Sequence, residues 1–152
     1  MKTVYKSRIE YEDVDSSMQI RLSELQSYLL KSSDDGVEKS GLSTKYLRQR
    51  YNSAWVLVGM SVEIGPMPSY YEHGEIVTRD TMSGHNIVKR GCLIYCFNGI
   101  YKSHIGRAAS TWTILNLPNR TISHESFLAQ VCFHEQNADS LTFPMIRIPS
   151  VL

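Results

Sequence analysis

No apolar run in these 152 residues approaches the ~20 that a membrane-spanning helix needs. The first residues, Met1-Lys-Thr-Val-Tyr-Lys6, hold no apolar signal core and enter a strand-like pattern at once, which predicts a cytoplasmic protein. A dominant charge is also lacking. Sixteen basic residues stand against 15 acidic ones, for a net charge of +1. Such a chain carries no field that would gather nucleic acid or an anionic membrane surface. Cysteine is scarce and odd in number: Cys92, Cys96 and Cys132. Cys92 and Cys96 share a strand face but stand too far apart to bond as neighbours. No further ligands at regular spacing accompany them, so no metal is expected. They read as buried, reduced thiols. There is no Gly-x-Ser-x-Gly turn to support a Ser-His-Asp triad. Repeats and low-complexity stretches are absent too, and nothing calls for a cofactor.

What is present begins with one helix. In the run Arg21 to Ser40, Leu22, Leu25, Tyr28, Leu29 and Ser32 follow the i, i+3, i+4 rule and form a stripe. Ser32, Ser33 and Gly36 continue it with small side chains, which let a helix lie close to a sheet. Ser16, Ser17 or Ser23 is expected to cap its start. Gly41 is expected to end it, with Lys39 in the last turn. The basic stretch Leu42 to Asn52 reads as a surface connection with at most a short helical turn.

Nearly everything after residue 50 reads as strand. Val4 to Tyr11 already alternates, and Trp55 to Ile64 is the strongest strand signal. There Val56, Val58, Met60, Val62 and Ile64 share a face, while Trp55 and Leu57 make the other face apolar. That pattern predicts a central strand. Gly65-Pro-Met-Pro68 breaks the ladder. Gly74 to Met82 is a more polar strand, followed by the turn Ser83-Gly-His-Asn86. Asn98-Gly99 between two β-rich runs predicts a hairpin with a type I′ turn. Gly106, Ala108 and Ala109 in the second run allow close packing or a bulge. Ser123 to Leu152 shows no period, although Phe143 to Pro149 suits an extended edge segment. The expected architecture is one α+β domain over residues 1–152, with a core at about 4–120 and a tail at 121–152. An antiparallel sheet wraps one long central helix, which is the hotdog fold. Its open sheet edge predicts a homodimer or a higher homo-oligomer.

Several stretches resemble the acyl-ACP thioesterase family, in its N-terminal hotdog domain. Leu29 to Leu42 is similar to the family's helix with its Gly-Leu exit. Ala54-Trp-Val-Leu57, Val62-Glu-Ile64 and Pro68 resemble its second strand and proline-marked turn. Ser83-Gly-His-Asn-Ile-Val-Lys-Arg90 resembles its Ser-Gly…Arg turn. Arg107 to Asn116, with Asn119-Arg120, resembles its Ala-x-Ser-x-Trp strand and following arginine. The resemblance covers roughly residues 4–125. Full members are double hotdogs whose catalytic Asn and His lie in the second one, in an Asp-x-Asn-x-His-Val-Asn-Asn motif. That motif does not occur here, and neither His124 nor His134 sits in one. Gly36 stands where the family often has a histidine.

The resemblance implies acyl thioester chemistry, an acyl thioester substrate and an acyl carrier protein as a partner. Thioester hydrolysis needs a carboxylate or another base to activate water, with N–H donors for the oxyanion. Single-hotdog thioesterases keep such a carboxylate before or on the central helix and complete the site with a second subunit. Asp13 and Asp15, beside Glu12, occupy the loop position and are the catalytic candidates. Met18 and Gln19 stand where that loop has Gly-His. Asp34, Asp35 and Glu38 are the on-helix candidates. Trp55, His85, Asn86 and Arg90 are the candidates for binding substrate, and Trp112 could wall an acyl tunnel beside Trp55. The cations Arg90, Arg107, Arg120, Lys45, Arg48 and Arg50 could meet an acidic carrier or its phosphate. A non-catalytic acyl- or carrier-binding hotdog is the alternative. A hydratase or dehydratase is a third, weakened by the missing Asp…His dyad.

Overall fold

Alternating residues at the start of the chain form β1, Lys2–Arg8. It leads through a 3-10 turn, Tyr11–Asp13, into α1, Leu22–Lys39. A short helix α2, Thr44–Tyr51, precedes β2, Ser53–Ile64. The remaining strands are β3 (His73–Met82), β4 (Val88–Asn98), β5 (Tyr101–Asn116) and β6 (Thr121–Ile122). The structure is a computed structural model and describes residues 2–82 and 87–122. His85, Asn86, Cys132 and the proline-bounded segment 143–149 lie outside the described residues. Among those described, no helix is long and apolar enough to cross a membrane.

The strands pair antiparallel in the order β1-β3-β4-β5-β2, with β6 on the end of β5. One face of the sheet carries Tyr5, Ile76, Cys92, Ile94 and Ala108, and the stripe of α1 packs on it. That stripe is Leu25, Tyr28, Leu29, Ser32, Ser33, Gly36 and Val37. Leu22 does not belong to it. As the first helical residue it is 61% exposed. No serine caps the start either. The cap is Arg21, whose carbonyl accepts from Glu24 and Leu25 N–H, with no side-chain bond. Ser17 is engaged in the preceding loop, and Ser23 is already inside the helix.

The other end closes as expected. Gly41 adopts φ +83°, its N–H bonds to Glu38 O, and Leu42 N–H bonds to Val37 O. These two bonds make a Schellman motif, which needs a left-handed residue at this position. The following stretch is more than a surface connection. Ser43 Oγ caps α2 by accepting from Tyr46 N–H, and Asn52 ends it at φ +48°. Leu47, fully buried, anchors the helix beside Leu42, Val88 and Ile114.

β2 differs from its expected place. It is the outer strand beside β5, not a central one. Its register shifts between Leu57 and Gly59, which bulges Val58 out to 49% exposure. A bulge reverses which side chains point inward. Trp55 opposite Ile114 and Leu57 opposite Trp112 therefore share a face with Met60, Val62 and Ile64. Val56 and Val58 do not. A strand with two apolar faces was thus one apolar face interrupted by one extra residue.

The β4–β5 hairpin also differs in detail. Asn98 pairs with Tyr101, so Gly99 and Ile100 are the central turn residues. Only Gly99 has positive φ, at +65°, which is the type II′ pattern with glycine first. Further along β5, a Cβ on Gly106 would lie 2.5 Å from the Glu63 carbonyl oxygen, so only glycine fits between the strands there. Cys92 and Cys96 are buried free thiols, as expected.

Candidate functional site

Small side chains in the second half of α1 leave a gap between the helix and the sheet. A cavity of about 170 Å³ lies there. Leu30, Ser33, Asp34 and Val37 of α1 and Thr44 of α2 line it on one side, and Trp55, Val88, Arg90 and Trp112 line it from the sheet. Leu30, Asp34 and Thr44 are exposed and form the mouth, while Ser33, Val88 and Arg90 are buried and form the interior. Both indole N–H groups are already bonded. Trp55 Nε1–H donates to Leu42 O at 3.0 Å and Trp112 Nε1–H to Ser110 Oγ at 2.8 Å. The rings therefore offer hydrocarbon to the cavity, and their polar edges need no ligand.

The interior ends on charge. Arg90 Nε and Nη2 donate to the two carboxylate oxygens of Asp80 at 2.6 and 2.8 Å. Both side chains are buried. A paired, bidentate guanidinium is the form in which a buried cation is tolerated. Beside it, Thr3 and Thr78 hydroxyls bond to one another. Gly36 closes the gap above them. A Cβ there would sit 3.4 Å from Thr3 Oγ1 and 3.5 Å from Arg90 Nη2.

The loop before α1 is a different environment. Asp13 is buried, and Tyr28 Oη–H donates to its Oδ2 at 2.5 Å, with the Arg8 carbonyl 3.0 Å from the same hydroxyl. Glu10 N–H donates to the same carboxylate oxygen at 3.0 Å. Burial first, and then the bond to Asp13, push the Tyr28 hydroxyl up to about 12. Asp15 is exposed. Its Oδ1 accepts from Ser17 Oγ at 2.6 Å, Ser17 N–H at 2.8 Å and Gln19 N–H at 3.3 Å. The Ser17 hydroxyl, followed by these backbone donors, holds the Asp15 carboxyl below its ordinary value. Asp15 lines an open groove of about 500 Å³ with Tyr11, Glu12, Met18 and Arg21, and Asp13 does not.

Trp55 and Arg90 thus meet on one cavity, whereas Asp13 and Asp15 lie at the other end of α1. Asp34 stands at the cavity mouth, and Asp35 is bonded to Lys39 at 2.7 Å. Arg90 is too deep to touch a carrier protein. Arg107 pairs with Glu63 at 2.8 Å on the surface, and Lys45, Arg48 and Arg50 are exposed on α2. Asp80 was not singled out from the sequence. The register of β3 and β4 sets Asp80 and Arg90 opposite each other, on the face that α1 covers.

Several known proteins share this architecture. The acyl-ACP thioesterase of Bacteroides thetaiotaomicron superposes with a TM-score of 0.74 at 21% identity, over 93% of this chain and 57% of that one. The present chain therefore spans little more than half of that enzyme's length. Protein SAV2348 of Staphylococcus aureus, solved in complex with CoA, gives 0.83 at 12% identity, over 95% of this chain and 90% of that one. Slr0204, a 1,4-dihydroxy-2-naphthoyl-CoA thioesterase from Synechocystis, gives 0.73 at 13%, over 87% and 96%. At these identities the superpositions show the fold, a hotdog. No curated protein matches the sequence. The family model of the acyl-ACP thioesterase N-terminal domain matches residues 2–126. Over that span, the chain belongs to the acyl-ACP thioesterase family.

Proposed function

We propose that the chain takes the acyl group of an acyl thioester into the cavity under α1 and hydrolyses the thioester. The observation that carries this reading is the Trp55–Trp112 cavity, a largely apolar space that opens at the helix surface and ends on Arg90. On this reading Asp15 activates the water. It is a carboxylate on an open groove, and all three of its bonds fall on one oxygen. Asp13 then holds the loop through Tyr28 and Glu10 and acts as a positioning residue.

Groove and cavity are far apart within one protomer. Arg21 borders the first, and Leu30 and Asp34 border the second. At 1.5 Å rise per residue, ~13–20 Å of helix separates them. A thioester whose acyl chain enters the cavity of one protomer would meet Asp15 of another, so the reading requires a homodimer. The basic face of α2, with Lys45, Arg48 and Arg50 beside the mouth residue Thr44, would face an acidic carrier protein.

The test is hydrolysis of acyl-ACP and acyl-CoA by wild type and by Asp15→Asn, with the solution mass measured by light scattering. The expected results are a dimer and a loss of ~10²-fold or more in the variant, as for removal of a general base. A monomeric yet active enzyme would remove the shared site, and unchanged activity in Asp15→Asn would remove the base. If no carrier supports hydrolysis, the chain is an acyl-binding module. The bonded state of Asp13 and the depressed value of Asp15 favour that second reading, since a general base works best with a pKa near the operating pH.

A further inference from the structure

We propose that Arg21 is a second catalytic residue on the groove beside Asp15, holding the thioester carbonyl oxygen through its free N–H groups while Asp15 activates the water. The inference rests on the hydrolytic reading above, which names a base and leaves the oxyanion without a donor. Backbone pairing brings the two side chains together. Asp15 N–H bonds to Gln19 O and Arg21 N–H to Asp13 O, each at 2.9 Å, and Val14 and Ile20 bridge between them. In such an antiparallel register Asp15 and Arg21 are diagonal neighbours, within reach of a long side chain. Both line the same open groove. The guanidinium is also held in place. Its Nη2 donates to Glu12 O at 2.6 Å and to Glu24 Oε1 at 3.3 Å. Those bonds use both hydrogens of Nη2, and among the described residues Nε–H and the Nη1 hydrogens have no partner. Glu24 does not quench the charge, because a half-exposed ion pair of this kind is weak. Asp15 is arranged in the same way, with Oδ1 engaged and Oδ2 open. A fixed cation with spare donors beside a carboxylate with a spare acceptor matches a carbonyl under attack by water.

In the step, Asp15 Oδ2 takes one proton of the water, and the water oxygen bonds to the carbonyl carbon. The π pair of the C=O bond moves onto the carbonyl oxygen, where the Arg21 N–H groups meet it. When that pair returns, the C–S bond breaks and the departing sulfur takes the proton from Asp15. The products are the carboxylic acid and the thiol.

The test separates the carbonyl from the tetrahedral intermediate without any turnover. Two analogues of hexanoyl pantetheine, with CH2 or CF2 in place of sulfur, resist hydrolysis. Fluorine drives the second ketone to its hydrate, which carries oxygens where the intermediate has them. By calorimetry the wild type should bind the CF2 analogue at least ~10²-fold tighter than the CH2 analogue, as an enzyme binds a transition-state mimic. Arg21→Ala should lose most of that preference, while its affinity for the CH2 analogue scarcely changes. On acyl-CoA or acyl-ACP, kcat and kcat/KM of Arg21→Ala should fall together by ~10²–10³-fold. Guanidinium ion at a sub-denaturing concentration should restore part of that rate, and urea should not. A folded Arg21→Ala that keeps the CF2 preference overturns the role, and so does one that raises KM with kcat unchanged. If Arg21→Ala does not fold, Arg21→Lys takes its place. It keeps the charge and the reach to Glu12 O but not the planar fork, so the preference should still shrink, and full retention overturns the role. A wild type that binds neither ketone and hydrolyses no acyl thioester removes the groove as the reaction site, and Arg21 with it. Activity lost in Asp15→Asn but retained in Arg21→Ala leaves the base standing and removes Arg21 alone.

Discussion

The two ends of α1 handle polar groups in opposite ways. At the N-terminal end, Asp13 and Asp15 are satisfied by close sequence neighbours and by Tyr28, through short local bonds in a loop. In the second half, Ser33 and Gly36 make little demand on space, and the nearby charges, Asp80 and Arg90, belong to two strands that meet only through the sheet. The first arrangement can be altered locally. The second is built from long-range register and fails as a unit. The difference also separates the two requirements of the proposed reaction. Space for an acyl chain comes from packing, and a carboxylate on an open groove comes from a loop.

The largest effect that would sharpen this contrast is expected at the ion pair. Asp80→Ala leaves Arg90 buried without its carboxylate and should cost ~3–5 kcal/mol, read from urea denaturation. Loss of only a few tenths would mean that water reaches the pair, and the cavity end would be no more cooperative than the loop. A smaller effect is expected at the N-terminal end, at Tyr28. Tyr28→Phe keeps the ring but removes the donor to Asp13, for a cost of ~1–3 kcal/mol near neutral pH.

That variant also has a pH signature. The Tyr28 hydroxyl rises from 10.0 to about 12 in the fold, and burial lifts Cys92 and Cys96 from 9.0 to about 12, with Glu72 adding to the rise at Cys96. A raised value means that the fold favours the neutral form. Its stabilisation is complete below the unfolded value and is lost as pH climbs through the folded one. Wild-type stability should hold to about pH 9 and decline between 9 and 12. Tyr28→Phe should start lower and decline less steeply above pH 10, keeping only the cysteine share. Parallel curves for the two proteins would mean that Tyr28 ionises equally readily folded and unfolded.

The sequence showed what local periodicity and turn chemistry control. The stripe from Leu25 to Gly36, the Gly41 exit and the Asn98-Gly99 hairpin can be read from neighbouring residues alone. That Trp55 and Arg90 border one cavity cannot be read from either local segment. Errors arose where one residue shifts a register. The bulge at Val58 reversed the faces of β2 and hid its place at the outside of the sheet. Gly99 sits first in its turn, which changed the turn type but not the hairpin. The cap of α1 is not legible in the sequence because backbone contacts to Arg21 hold that end, and backbone groups are the same in every residue. Asp80 has no local signal, because its importance depends on what lies across the strand.

The smallest expected effect tests the loop end most finely. Ser17 Oγ–H donates to Asp15 Oδ1 at 2.6 Å on the open surface, and this bond is the leading cause of the carboxyl's lowered value. Ser17→Ala removes that donor and leaves the Ser17 and Gln19 backbone N–H groups in place, so the turn itself should persist. The Asp15 carboxyl should then rise towards its ordinary value, and its anion should form at a higher pH. A depressed carboxyl contributes stability above its unfolded value and loses it as pH falls, so the variant gives up part of that contribution. Asp15 is fully exposed, and the unfolding midpoint at neutral pH should therefore scarcely move. Activity should respond where stability does not. If Asp15 is the base in hydrolysis, the acid limb of the kcat/KM profile reports its ionisation in the free enzyme and should shift to higher pH in Ser17→Ala. Rescue by Ser17→Thr, which restores a hydroxyl, should return the limb towards the wild-type position. An acid limb that stays put in an active Ser17→Ala enzyme would assign the limb to another group, and the loop would then be only the support on which α1 begins.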